Sequence, residues 1–465
     1  MDALIVDFGR AINSQDGYAL AATLSPVPPK HDPARLYALR KSTNAQSVVV
    51  DLRYAIGHNP NFTLDRSESN GWVDVYVAYW KAVVEILVAD EAMNKHRNTG
   101  SHGGAAAHWD KVYNAWKDLL NALYKGYQNA GFEAWTIPCL YITGKYLRVF
   151  AIKADESARD AKKNSSNNNA FDSACEDDVV ADEQQGGNEK LEDCARQINR
   201  IFSLCISDRA PITESRKWGL YYITNLMFKT YFKLNSVSLS KNILRSLSAT
   251  VVDMPPVSAF PKSHQVTFNY YVGVIHFLDE AYVKAEEHLS AAYAQSLASS
   301  TTNIKLILTY LIPTKLITSG VLPSPALLAP YPSLQRLFGP IASCIKSGDL
   351  AGFDKALQAG EDEFVKRRIY LTLERGRDTC MRNLFRKVYL AGGFEADTTT
   401  RRSRIPLAEF KAALSLGGER DIDGEEVECF VANLIYKDMM KGYISRAHQM
   451  VVVNKKGAAF PGTGV

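Results

Sequence analysis

Between Lys366 and Lys411 the chain carries twelve lysines and arginines against five aspartates and glutamates. That is a surplus of seven positive charges in one short stretch of a chain whose formal net charge is only +4. Clustered cations of this kind attract phosphates by releasing counterions, an affinity that ignores base sequence and falls steeply with salt. The candidate phosphate contacts are Lys366, Arg367 and Arg368, then Arg401, Arg402 and Arg404 in "RRSR", then Lys437, Lys441 and Arg446 further on. Two other readings stand beside this one. Arginines next to acids, such as Arg375 and Arg377 beside Glu374 and Asp378, also form solvated faces or internal salt bridges, and "RRSR" is also the composition of a nuclear localisation signal.

Other chemistries are poorly represented. His96, His102 and His108 recur every six residues around a Gly-Gly pair, which fits neither one helix face nor a metal-binding loop. His264 and His276 have no nearby sequence partner that would make either a base, and read as packed or capping residues. The seven cysteines are scattered without a C-x-x-C pair, so neither a disulfide framework nor a zinc site is expected. No phosphate-binding loop, G-x-S-x-G or H-E-x-x-H occurs. A catalytic role, a metal and a cofactor are therefore not expected.

The elements that must hold the basic residues are mostly helical. Val112, Trp116, Leu119 and Leu123 fall on one helical stripe, with Gly131 as a stop and Pro138 as the next start. Trp218, Tyr222, Asn225, Phe228 and Phe232 form a second stripe, read as a buried seam. Between them, "NSSNNNAFDSACEDDVVADEQQGGNEK" holds few large apolar groups and many acids, and reads as a flexible insert. Gly273, Ala285, Leu289 and Ala292 have the small-and-large spacing of a tetratricopeptide-type hairpin, and Gly348–Asp349 marks the turn of another. Past Gly392 the pattern changes. A short helix from Pro406 to Gly417 precedes a longer one carrying Val427, Phe430, Val431, Leu434, Ile435 and Met439. The strands of "KGYISRAHQMVVV" follow, turning at Arg446 to Gln449, with Gly442 as a left-handed exit from the helix and Tyr443, Ile444, Met450 and Val452 as the packing side. Helix, helix, hairpin is the order of a winged helix.

The expected architecture is mostly α: a tetratricopeptide-like right-handed superhelix ending in a winged helix. The expected divisions are a helical region over 1–153, an acidic insert over 154–190, a helical-repeat part over 191–400, a winged helix over 401–456 and a flexible tail over 457–465. No apolar run is long enough to cross a bilayer, and the first residues lack the basic start and cleavage site of a secretory signal, so an intracellular protein without a membrane partner is expected. The acidic start "DGEEVE" of the second winged-helix helix disfavours insertion into a major groove, leaving backbone contacts as the expected mode.

Helical hairpins running into a winged helix resemble the PCI architecture. In detail, "CLYITGKYLRVFAIKAD", "RKWGLYYITNLMFKTYFKLNSVSLSKNILRSL", "EFVKRRIYLTLERGRDTCMRNLFRKVY" and "ANLIYKDMMKGYISRAHQMVV" resemble the fungal signalosome-subunit-twelve homologues. These are relatives of the PCI subunit of the nuclear transcription-and-mRNA-export (TREX-type) complex. The resemblance implies a non-catalytic scaffold in the nucleus, and also in the cytoplasm. Its implied partners are a second PCI protein related to the large export-complex subunit, a small acidic proteasome-lid-type subunit, and the backbone of RNA or duplex DNA. The other implication is a structural subunit of a signalosome-like complex, whose winged helix serves only for subunit packing.

Overall fold

The stripes read from the sequence become the buried faces of helices. The structure is a computed structural model that describes residues 1–57, 62, 64–99, 105–167, 187–250, 253–395, 401–417, 422–454 and 459–463. It divides into two compact units, Met1–Phe268 and Asn269–Val465.

In the first unit, α1 (Asp2–Ser14), α2 (Gly17–Thr23), α3 (Arg35–Ser42) and α4 (Val48–Gly57) are short. The long helices α5 (Arg66–Thr99), α6 (Ala105–Asn129) and α7 (Pro138–Asn167) pack in succession. Their core is aromatic: Trp72, Tyr76, Tyr79, Tyr113 and Trp116 are fully enclosed, as are Val112, Leu119 and Leu123 of the predicted stripe. The Trp116 indole N–H donates to the Thr143 carbonyl at 2.8 Å, so the ring is buried without stranding its polar atom. Gly131, at φ +77°, makes the left-handed turn after α6. That turn sends Phe132 back to stack on Trp72, with ring centroids 4.2 Å apart.

α7 runs on to Asn167, so residues 154–167, expected within the insert, are helical. Ala154 and Asp155 are buried, which is why the helix does not stop at 153. The Asp155 carboxylate accepts from the backbone N–H groups of Lys190 and Leu191 at 3.0 and 2.9 Å, capping α8 (Glu189–Ile206) from the helix before it. Of the rest of the expected insert, 168–186 lies outside the described residues, and Glu189 and Lys190 already belong to α8. α9 (Leu220–Lys233) and α10 (Val237–Ala249) complete the unit before α11 (Lys262–Leu278), within which the division falls. Of the second stripe, Asn225 and Phe228 are buried, while Trp218, Tyr222 and Phe232 are only half-buried.

The second unit opens with the predicted hairpin of α11 and α12 (Tyr282–Gln295). Ala285, Leu289 and Ala292 are wholly buried, and a Cβ on Gly273 would come within 2.7 Å of Leu289 Cγ, so glycine sets the helix spacing. α13 (Thr301–Ser319), α14 (Pro325–Leu328) and α15 (Pro332–Ser347) follow. Gly348 ends α15 at φ +70°, and Asp349 caps α16 (Leu350–Ala359) by accepting from Gly352 N–H at 2.8 Å, the turn predicted at that pair. Short helices α17 (Glu361–Lys366) and α18 (Tyr370–Glu374) lead into α19 (Gly376–Ala391).

The winged helix is then β1 (Arg404–Pro406), α20 (Leu407–Leu416), α21 (Gly424–Tyr436), β2 (Gly442–Ser445) and β3 (Met450–Val453), with α19 packed on α20. The sheet is antiparallel in the order β1-β3-β2, pairing Ile405 with Val451 and Ile444 with Val451. Several details differ from expectation. α21 stops at Tyr436, so Met439 lies beyond it, and the left-handed residue is Asp438 (φ +53°) rather than Gly442. Gly442 instead lies in β2, where a Cβ would meet the Val452 carbonyl oxygen at 2.3 Å. The core side of the hairpin is Val451 and Val453, and Tyr443 faces solvent; period-two alternation identifies two faces without saying which is inward. Residues 459–463, expected in a flexible tail, are packed: Phe460 is fully buried against Tyr389, because the main chain there is tied down by Lys441 N–H donating to the Ala459 carbonyl at 2.8 Å.

Candidate nucleic-acid and partner interface

The basic residues sit where the sequence placed them along the chain, but folding brings acids to them from elsewhere. Arg367 pairs with Glu363 at 2.6 Å and Lys437 with Asp378 at 2.5 Å. Arg402 pairs with Glu409. Arg375 reaches Glu280 at 2.8 Å and Arg377 reaches Asp354 at 3.3 Å. Arg401 lies over the rings of Phe394 and Tyr389, with its guanidinium carbon 4.9 and 6.0 Å from their centroids. Arg386 and Lys387 donate to the carbonyls of Thr463 and Ser347.

The wing is neutralised most completely. Arg446 contacts Glu428 at 3.3 Å and Glu425 at 4.0 Å, both on α21. The acids opening α21 have a structural reason. Asp423 accepts from the Glu426 N–H at 2.7 Å and Glu426 accepts from the Asp423 N–H at 3.0 Å, a reciprocal capping box. Two glutamates beside one arginine leave the local charge negative, which disfavours a phosphate at the wing. Of the nine predicted contacts, Lys366 and Arg404 are exposed without a carboxylate partner among the described residues, and Lys441 has only a 4.0 Å contact with Asp438. Arg368 is exposed in a left-handed conformation (φ +57°).

The sequence reading missed the apolar surface of the same subdomain. Leu416 at the end of α20 is 90% exposed, Tyr436 at the end of α21 is 89% exposed, and Tyr443 on β2 is 62% exposed. β2 is paired on one side only, by β3, so its other edge presents unpaired strand groups among the described residues. These residues fell on helix ends and a strand where an apolar residue reads as core; only the three-dimensional termination of α20 and α21 shows them exposed.

Among the described residues the histidines do not assemble a site. His102 lies outside the described residues, His96 falls within α5 and His108 within α6. His276 of α11 stacks on His288 of α12 with ring centroids 5.7 Å apart, and burial pushes both below the ordinary histidine value. His264 is buried and likewise pushed down by burial. No cluster of three or more His, Cys, Asp or Glu among the described residues could hold a metal. A cavity of about 590 Å³ between α5 and α6 and one of about 320 Å³ along α12, α13 and α14 are lined without any histidine or cysteine. No helix among the described residues is long and apolar enough to cross a membrane.

Comparison with known proteins agrees with this geometry. Residues 357–455 match the PCI domain, a span from the end of α16 to just past β3. A "Protein CSN12 homolog" of Neurospora crassa is 54% identical over the full length of both chains. One from Schizosaccharomyces pombe is 36% identical over 85% of this chain and 84% of its own. A "PCI domain-containing protein 2" of Danio rerio is 32% identical over 74% of this chain and 78% of its own.

Proposed function

The chain belongs to the PCI-domain family of CSN12 homologues, and on that premise we propose that it is a non-catalytic scaffold subunit of a signalosome-type assembly whose winged helix packs against another PCI subunit. The observation that carries this reading is the one-sided edge of β2, with Tyr443 exposed on it and Tyr436 exposed at the end of α21 just before it, in a subdomain several of whose cations are paired within the chain. An edge strand supplies main-chain hydrogen bonds to a partner strand, and exposed aromatic side chains supply the desolvated anchors that dominate interface energies.

A second reading rests on Lys366, Arg404 and Lys441, exposed cations without a close carboxylate. In it the winged helix and an adjoining partner, with a small acidic subunit, form a nuclear platform for RNA or duplex DNA backbone in transcription-coupled mRNA processing and export. The two readings separate by mutation. Tyr436→Asp with Tyr443→Asp removes co-purification of the PCI partner under the first reading and leaves nucleic-acid affinity unchanged. Reversal of Lys366, Arg404 and Lys441 to Glu lowers RNA affinity of the complex under the second and leaves partner recovery intact. Undiminished partner recovery with the two aspartates overturns the first reading.

A further inference from the structure

α5 and α6 pack along their length with their numbers running in opposite senses: Tyr79 lies against Trp116, and the Ser67 Oγ donates to the Asn129 carbonyl at 3.5 Å, so the pair is antiparallel. One stripe of each helix makes the aromatic core, and another lines an open furrow. Two cavities, of about 590 and 680 Å³, lie in that furrow and share Asp74 and Asp118 in their linings, so they form one groove. It extends from Ser67 to Glu85 on α5, about 27 Å at 1.5 Å per residue, or five helical turns. Its floor holds Val77, Ala78, Ala115 and Ala122, all half-buried, and side chains that short leave a trough. The charged side chains along it are ordered. Lys81 and Lys111 stand toward one end, Asp74 and Asp118 in the middle and Lys125 toward the other end, with the three on α6 seven residues, or about 10.5 Å, apart. All five are exposed, and none has a side-chain hydrogen bond or salt bridge among the described residues. Glu85 tempers the cations at the first end, and Arg200 of α8, held by Asn121 and Gln197, adds to the last.

We propose that this groove receives an amphipathic helix of a partner protein, apolar along one side, with a basic residue at its centre and an acidic residue one heptad to either side. The apolar side fills the trough over Val77, Ala78, Ala115 and Ala122, as a helix laid in a groove does. The charges then fix its register: a central arginine or lysine between Asp74 and Asp118, and flanking acids opposite Lys111 and Lys125, set unlike charges together at each level. A nucleic-acid strand is disfavoured, because its phosphates meet the central carboxylates. A second copy of this chain, related by a two-fold axis through the middle of the groove, sets those carboxylates against their own counterparts. This inference concerns the first unit and does not depend on the reading of the winged helix.

The test uses the full chain and fluorescence anisotropy with two fluorescein-labelled helical peptides of three heptads. They share a leucine and alanine side and differ in charge order: glutamate, arginine, glutamate at seven-residue spacing in one, and arginine, glutamate, arginine in the other. Wild type binds the first about 10-fold more tightly than the second, and the difference shrinks as salt is raised. Asp74→Lys with Asp118→Lys, both on exposed side chains, lowers affinity for the first peptide about 10-fold at an unchanged melting temperature. Ala115→Trp, which fills the trough without changing its charge, weakens the first peptide as well. Equal binding of the two peptides, undiminished binding of the first by the aspartate variant, or undiminished binding with Ala115→Trp overturns the proposal.

Discussion

Phe460 offers the sharpest check on how the second unit closes. Its side chain is fully buried, its ring lies 5.8 Å from that of Tyr389, and the flanking main chain is held by Lys441 N–H on the Ala459 carbonyl and by Arg386 Nη2 on the Thr463 carbonyl at 3.4 Å. An aromatic side chain of this kind buries on the order of 150–250 Å², which at about 25 cal/mol per Å² is about 4–6 kcal/mol as an upper bound. Phe460→Ala then costs about 3–5 kcal/mol once the cavity is counted. For a unit of this size each kcal/mol moves the melting temperature by about 2–4 °C, so calorimetry reads a drop of roughly 6–20 °C in the transition of the second unit. Phe460→Leu, which keeps most of the apolar volume, recovers more than half of the loss. A Phe460→Ala shift below about 2 °C refutes the assignment of these residues to the core.

Three further outcomes follow from the geometry. Gly273→Ala forces Leu289 aside and costs about 1–3 kcal/mol by urea denaturation, whereas Gly424→Ala, with open space around its Cβ position, is neutral or stabilising by about 0.4–1 kcal/mol; equal effects at the two sites contradict the close crossing of α11 and α12. His264, His276 and His288 all have folded-state values lowered from 6.5, so the unfolded chain binds more protons below that pH. Stability is therefore full above about pH 6.5 and declines as the pH falls through 6.5 toward the folded-state values. His276→Gln with His288→Gln flattens the fall in melting temperature between pH 7.5 and 5.5, and an unchanged slope shows that the stacked pair does not contribute. Arg446→Glu, which places a third acid beside Glu425 and Glu428, lowers stability by up to about 1 kcal/mol, since exposed pairs are worth little; Glu428→Gln in that background restores part of the loss.

What could be read from the sequence was whatever local spacing encodes. Gly131, Pro138, Gly348, Asp349 and Gly417 punctuate helices because backbone freedom, a fixed φ and side-chain capping act within a few residues. Gly273 and Leu289 disclosed a hairpin because a close crossing requires a small residue opposite a large one. The charge surplus was arithmetically right and spatially misleading, because Glu280, Asp354 and Glu363 arrive from outside the counted window and no linear count includes them. β1 is three residues embedded in the basic run, too short for alternation to register. Phe460 follows a Gly-Ala-Ala stretch that reads as tail, and its burial depends on Tyr389 from α19, seventy-one positions earlier. The exposed Leu416 and Tyr436 were concealed by the same logic in reverse, since periodicity predicts a face and not where the covering neighbour ends.

The central claim is that the winged helix meets another PCI subunit through the open side of β2. The most direct measurement places a photoactivatable benzophenone side chain at Tyr436 and at Tyr443 in the full chain within its native assembly, irradiates it, and identifies the captured species by mass spectrometry. The account predicts capture of a second PCI-domain protein from both positions, and none from Tyr443 once Tyr436→Asp is introduced. Capture of nucleic acid alone, or no capture from either position in an intact assembly, contradicts it.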